Sequence, residues 1–219
     1  MKIYRISGLG ANDQAFKWMN FPEGFEVVYL PWLTPEPKES LAHYAERMAE
    51  KVDTTEDFVL MGLSFGGIIV QEMNRFLHPK LNILISTVKS RNELPGFMKM
   101  SAHTQLHKLI PNHFFDSNKR VSYAMIRKFY DAKMPELDEF FEFRDPKYLH
   151  WAINEIVNWK NTVEMKNYVH YHGNKDVVFP FSKIQNAVEI DGGTHLMVMQ
   201  KAKKLNELIK EKLVEIGNI

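Results

Sequence analysis

The stretch Phe58–Met73, FVLMGLSFGGIIVQEM, joins two different patterns at a single serine. Its opening, Phe58–Gly62, is a short continuous apolar run, as expected for a strand buried on both faces. Its close runs on into IIVQEMNRFL (68–77), which reads as a helix ended by His78-Pro79. Between the two, Gly62, Leu63, Ser64, Phe65 and Gly66 spell G-x-S-x-G. In a strand–turn–helix setting this motif puts a serine on a turn so sharp that neighbouring side chains would collide, and glycines two residues to either side relieve the crowding. Such a turn lifts the hydroxyl above the carboxyl ends of the strands, where open α/β sheets bind ligands. The next helix then points its N-terminus at any developing negative charge. A plain Gly-rich turn with Ser64 as N-cap is the simpler alternative, and the partners available to Ser64 decide between the two.

Working outward, strand-like and helix-like segments alternate. KIYRI (2–6), FEVVYL (25–30), LNILIST (81–87), KNYVHYH (166–172) and AVEI (187–190) read as strands, which makes about six with FVLMG. ESLAHYAERMAEKV (39–52) and LNELIKEKLVEIG (205–217) place apolar residues at helical intervals, and QAFKWMN (14–20) reads as a short helix. PWLTPEP (31–37) excludes regular helix or central strand. Alternation of this kind predicts an α/β layer fold with a mostly parallel sheet and helices on both faces. From Lys89 to about Trp151 the rhythm breaks: the segment offers no strand but has helical pieces rich in His, Phe, Met, Lys and Tyr. An irregular loop that long is improbable in a compact domain, so it is expected to be a helical cap inserted over one end of the sheet.

The 219 residues are enough for one domain with a substantial core. A net charge of +1 gives no support to broad nucleic-acid binding. The chain has no cysteine, which excludes disulfides, thiolate metal sites and a cysteine nucleophile and suits a cytoplasmic location. No segment approaches the roughly 18 apolar residues needed to span a bilayer. The opening MKIYRISGLG lacks the apolar core of a signal peptide and reads as a domain starting on its first strand.

A serine hydroxyl is a weak nucleophile and needs a base, itself oriented by an acid. On this architecture the expected order is Ser, then Asp or Glu, then His. Asp176 in HGNKD follows the strand KNYVHYH, and His195 in DGGTH follows the strand AVEI. Both are loop residues at carboxyl ends of strands, in the required order. The other histidines have simpler readings: His43 mid-helix, His78 at a helix stop, and His103, His107, His113 and His150 too early in the chain. His170 and His172 lie on a strand, where His172 is placed to brace the Asp176 loop. His103 and His107 have the i, i+4 spacing of metal ligands but no adjacent glutamate, so they read as a solvated or cap-packing pair. Acyl transfer also needs oxyanion donors. The Phe65 N–H is the first, and the loop SGLGAND (7–13) offers the Leu9 N–H as the second. Apolar residues of the cap and first loop suggest an acyl or alkyl pocket: Phe16, Trp18, Met98, Phe115, Met125 and Phe129.

With GLSFGG, HGNKD and GGTH in order, the chain resembles the α/β-hydrolase superfamily over about 1–88 and 152–219, with 89–151 as its cap. The resemblance implies a three-layer α/β-hydrolase core and a serine hydrolase acting on a small carboxylic ester, thioester or lactone. Ser64, His195 and Asp176 would serve as its triad, with no cofactor or metal. Family members usually begin with two further strands, so the sheet here is expected to be smaller and wholly parallel. Their oxyanion loop usually opens with His-Gly, whereas here it is Ser7-Gly8. Dehalogenases and epoxide hydrolases of the family carry Asp at the nucleophile position, and Ser64 argues against both. Two alternatives stay open: a lyase or carbon–carbon bond enzyme that keeps the triad, and a small-molecule binding protein with a vestigial site.

Overall fold

The computed structural model describes residues 1–110, 140–161 and 164–217. Its strands are β1 (Lys2–Ile6), β2 (Glu26–Tyr29), β3 (Phe58–Leu63), β4 (Leu81–Ile85), β5 (Tyr168–Gly173) and β6 (Val188–Ile190). They form one sheet in the order β2-β1-β3-β4-β5-β6, and every pairing is parallel. The chain runs from β1 out to β2, then returns past β1 to lay down β3 and the remaining strands. The switch point therefore lies between β1 and β3, and the loops leaving these two strands open a crevice at the carboxyl edge.

Alternation along the strands divides the core into two layers. Tyr4, Ile6, Leu60 and Leu84 face α1 (Leu41–Ala49), α2 (Phe65–Met73) and the helix Pro146–Asn158. Ile3, Val59, Met61, Ile83 and Tyr171 face the opposite layer, closed by the C-terminal helix Ala202–Gly217. That helix buries Leu205, Ile209 and Leu213, spaced four apart on one stripe. Each such aliphatic side chain contributes about 1.5–3 kcal/mol when fully buried. All nine residues of α2 are buried. The polar ones are paired inside: Gln71 Nε2 donates to the carbonyls of Gly67 (3.0 Å) and Val88 (2.8 Å), and Glu72 accepts from the Trp159 indole at 2.8 Å.

Element boundaries differ from the sequence expectation for local reasons. Helix α2 starts at Phe65, directly after Ser64, not at Ile68. It ends at Met73, where the Asn74 side chain bonds Asn82 of β4 at 2.8 Å. Strand β5 starts only at Tyr168, because Asn167 has left-handed φ of 52°. The expected helix over 14–20 is a single 3₁₀ turn, Asp13–Phe16, capped by Asn12. The final helix begins at Ala202, after a short helix Met197–Gln200 that the apolar spacing does not reveal.

Among the described residues, β4 is followed by a 3₁₀ turn (Arg91–Glu93), α3 (Gly96–Thr104), a second 3₁₀ turn (Leu106–Leu109) and α4 (Pro146–Asn158). Helix α4 runs through position 152 without a break. Its Tyr148, Ala152 and Ile156 lie in the same core cluster as Ile68 and Ile69 of α2. Numbering then continues with α5 (Met197–Gln200) and α6 (Ala202–Gly217). No helix among the described residues is long and apolar enough to cross a membrane.

Candidate active site

Ser64 stands at the N-cap position of α2 with φ 52° and ψ −116°, well outside the regions ordinary residues occupy. Its hydroxyl makes no capping bond. The side chain points the other way and donates to His195 Nε2 at 2.8 Å. The backbone is held on both sides: Ser64 N–H donates to Ile85 O (2.9 Å), and Thr87 Oγ1 donates to Ser64 O (2.7 Å). A strained backbone persists only where its surroundings over-determine it. The flanking glycines are required by close approach. A Cβ on Gly66 would lie 2.3 Å from Ile6 O, and one on Gly62 would lie 2.5 Å from Gly66 O.

His195 Nδ1–H donates to Asp176 Oδ2 at 2.8 Å, and both residues are buried. The other carboxylate oxygen of Asp176 accepts the backbone N–H of Val178 (2.8 Å) and Phe179 (2.9 Å). Burial alone pushes the Asp176 carboxyl up. The charge of His195 and hydrogen bonds from His172 and His195 outweigh it and hold the group well below the usual carboxylate range. His172, expected as a brace, approaches Asp176 Oδ2 at 3.3 Å and donates to Phe179 O at 2.8 Å.

The first loop lies against the serine. A Cβ on Gly8 would be 3.5 Å from Ser64 Cβ. Trp32, which no sequence motif marks, anchors this loop: its indole N–H donates to Gly8 O (3.2 Å) and Ala11 O (3.0 Å). The same ring stacks on Phe65, with centroids 5.3 Å apart and planes 15° apart. Ser7 Oγ donates to Ala11 O at 2.6 Å and closes the loop on itself. Phe65 is the first residue of α2, so its N–H has no carbonyl within the helix to bind.

An apolar pocket of about 30 Å³ opens at Ser64 and His195. Its walls include Ala15, Leu63, Phe140, Leu196, Val198 and Met199, with Leu9 at its edge. Of the expected lining residues, the three that are described, Phe16, Trp18 and Met98, do not line it. Phe16 is in the core beneath the Arg5 guanidinium, Trp18 is partly exposed beside Phe140, and Met98 packs at the margin of the α1–α2 layer. Phe115, Met125 and Phe129 lie outside the described residues. The residues that do line the pocket carried one sequence signal, the segment LMVM after His195. His103 and His107 do not share a helix face: α3 stops at Thr104, and His107 is buried between Ser101 O and Asn154 Oδ1, at 3.0 Å from each. Elsewhere, ligand atoms of Glu36, Glu39 and His43 lie within 4.8 Å of one another. The Arg47 guanidinium already binds both oxygens of Glu39, at 2.7 and 2.8 Å.

No protein-family model and no curated protein matches the sequence. Several solved structures share its fold at low identity. MenH from S. aureus superposes with a TM-score of 0.75 at 13% identity, over 99% of this chain and 94% of its own. An esterase from Exiguobacterium antarcticum gives 0.74 at 13% identity, over 97% and 91%. The RedJ thioesterase of the Streptomyces coelicolor prodiginine pathway gives 0.67 at 12% identity, over 97% and 90%. The fold is α/β-hydrolase-like.

Proposed function

We propose that this chain is a serine hydrolase that cleaves a small carboxylic ester or thioester through an acyl-enzyme. The observation that carries the reading is the Ser64–His195–Asp176 chain, with both links at 2.8 Å and the serine held in a strained turn. Ser64 Oγ attacks the acyl carbon while His195 Nε2 takes its proton. The Phe65 and Leu9 N–H groups hold the oxyanion, helped by the N-terminus of α2. His195 passes the proton to the leaving alcohol or thiol. Water activated by the same imidazole then releases the acid and frees Ser64. Asp176 fixes the Nδ1–H tautomer of His195 and stabilises its charged form. Esterases and a thioesterase among proteins of the same fold support an acyl substrate.

The pocket supports a short acyl group. On the same measure a water needs roughly 10–15 Å³, so about 30 Å³ admits two or three heavy atoms. We read residues 89–151 as a cap whose return segment forms part of this wall. Phe140 and Phe141 line the pocket, Asn12 N–H donates to Phe140 O (2.8 Å), and Phe143 N–H donates to Gly10 O (3.1 Å). The absence of cysteine supports a cytoplasmic setting.

The test uses p-nitrophenyl acetate, a thioester analogue and a fluorophosphonate probe on the parent, Ser64→Ala and Asp176→Asn. Parent turnover and covalent labelling should be lost in Ser64→Ala. Asp176→Asn should retain the fold and lose roughly 10⁴-fold in kcat, because the amide favours the wrong His195 tautomer. Labelling of Ser64 without ester or thioester turnover would instead support lyase chemistry on the same residues.

A further inference from the structure

The hydrogen-bond chain does not stop at Asp176. His172 Nδ1 lies 3.3 Å from His170 Nε2, and His170 Nδ1 lies 2.9 Å from Lys89 Nζ. Lys89 is also tied to Glu93 Oε1 (3.5 Å) and donates to Gln185 O. Glu93 accepts the backbone N–H of Lys89 (2.5 Å) and of Gln185 (3.0 Å). Three segments contribute: β5, the loop after β4, and the turn before β6. His170 and His172 are 2% and 0% exposed, so the imidazole–imidazole contact is shielded from solvent.

The donor direction is fixed from both ends. An ammonium can only donate, so His170 Nδ1 is an acceptor and its proton sits on Nε2. At the other end, His172 Nε2 faces two acceptors, Phe179 O and Asp176 Oδ2, so it must carry a proton, which leaves Nδ1 to accept. The middle contact, His170 Nε2–H to His172 Nδ1, satisfies both requirements. Burial, reinforced by Lys89 and His172 and opposed by the Thr87 carbonyl, keeps His170 neutral near pH 7.

We propose that Lys89, His170 and His172 are positioning residues whose fixed donor direction sets the basicity of Asp176 toward His195. The inference rests on the catalytic reading of Ser64, His195 and Asp176 above. Asp176 Oδ2 accepts the His195 Nδ1–H at 2.8 Å and lies 3.3 Å from His172 Nε2, whose proton is directed at Phe179 O, so the His172 N–H acts on the carboxylate as a close dipole. The positive end of that dipole stabilises the carboxylate and weakens the pull of Asp176 on the His195 Nδ1 proton. The groups facing this chain are Lys89 and Glu93 at its outer end, His170 and His172 within β5, and Asp176 and His195 at its inner end. The sequence signal is the alternate pair in YVHYH, which puts both imidazoles on one face of β5.

The experiment measures kcat/KM against pH for p-nitrophenyl acetate on the parent, His172→Phe, His172→Gln, Lys89→Met and Lys89→Met/His172→Phe. The acid limb reports His195 in the free enzyme. His172→Phe removes that dipole and should move that limb upward by about half a pH unit, about a threefold loss on its slope. His172→Gln keeps one donor and one acceptor and should stay near the parent. Lys89→Met should shift the limb the same way by less, and add nothing in the His172→Phe background. A Lys89→Met shift of equal size in both backgrounds would show plain through-space electrostatics and overturn the proposal, as would limbs that do not move. Nitrogen-15 NMR of the histidines reads the tautomers without any turnover. Both His170 and His172 should be Nε2–H in the parent, and Nδ1–H at either would overturn the chain. That measurement also decides the matter if His172→Phe does not fold, or if the parent turns over no ester, in which case only the hydrolase reading fails.

Discussion

Gly173 and Gly193 meet backbone to backbone: a Cβ on Gly173 would lie 2.1 Å from Gly193 O. Gly173 ends β5 three residues before Asp176, and Gly193 lies two residues before His195. The contact is sealed by Lys175 N–H to Gly193 O (2.9 Å), Asn174 N–H to Ile190 O (3.2 Å) and Gly192 N–H to Asn174 Oδ1 (2.9 Å). The two turns that carry Asp176 and His195 are therefore one unit, and the 2.8 Å bond between these residues depends on the separation of the turns. Gly173→Ala cannot fit without moving one turn. We expect a stability loss of roughly 1–3 kcal/mol, as for an overpacked core site. Ester turnover should fall further than stability predicts, because small misplacements of catalytic groups cost on the order of 100-fold. Urea midpoints and kcat on the same preparations check this, and turnover at the parent rate in a folded variant would refute it.

The parts of this arrangement that were legible in the sequence are those set by local pattern. The apolar run before Ser64, the glycines around it and the helix after it share one window, so strand, turn and helix could be read together. Asp176 and His195 were legible because each follows a strand in the required order. The Gly173–Gly193 contact joins residues 20 apart, and neither glycine has a periodicity that names its partner. Trp32 was hidden for the same reason: it follows a proline in a connection with no regular structure, and its role comes from two carbonyls more than 20 residues earlier. Phe16, Trp18 and Met98 were expected at the pocket but do not line it, because size and apolarity alone do not distinguish a wall from a core. Phe16 is 1% exposed and serves the core, while Ala15 beside it reaches the pocket.

Trp32 offers a test of the oxyanion loop. Trp32→Phe keeps a ring against Phe65 but removes the donor shared by Gly8 O and Ala11 O. Leaving buried carbonyls short of a partner costs about 1–3 kcal/mol. If this loop supplies the Leu9 N–H to the oxyanion, kcat should fall on the order of tenfold with KM nearly unchanged, since the interaction strengthens in the transition state. A variant with lowered stability and parental kcat would make Trp32 a core residue only.

Acid should destabilise the fold in two stages. Burial is the main cause that depresses His170 in the native state, while the unfolded chain titrates near 6.5. Below that value the unfolded state binds a proton that the native state refuses, so stability falls as pH drops, by up to about 1.4 kcal/mol per pH unit. Asp176, also depressed on folding, adds a second loss as pH falls below about 4. Urea midpoints at pH 8, 6 and 5 should decline in that order. His170→Phe should flatten the decline between pH 6.5 and 5, and an unchanged slope would count against a neutral buried His170.

If the pocket beside Ser64 receives the acyl group, acyl length is the property it sets most directly. Its roughly 30 Å³ suits acetyl or propionyl, and Met199 forms a wall between this pocket and a surface groove that also touches Trp18 and Lys203. Along p-nitrophenyl esters from acetate to hexanoate, kcat/KM of the parent should peak at two or three carbons and then fall. Met199→Ala opens the wall. Each methylene newly buried contributes about 0.8 kcal/mol, about a fourfold gain, so the variant's preference should move to butyrate or longer while acetate turnover changes little. Stability will drop, since truncating a buried methionine costs about 2–5 kcal/mol, and the assays belong at a temperature where the variant is folded. A chain-length profile unmoved by Met199→Ala would place the acyl group somewhere other than this pocket.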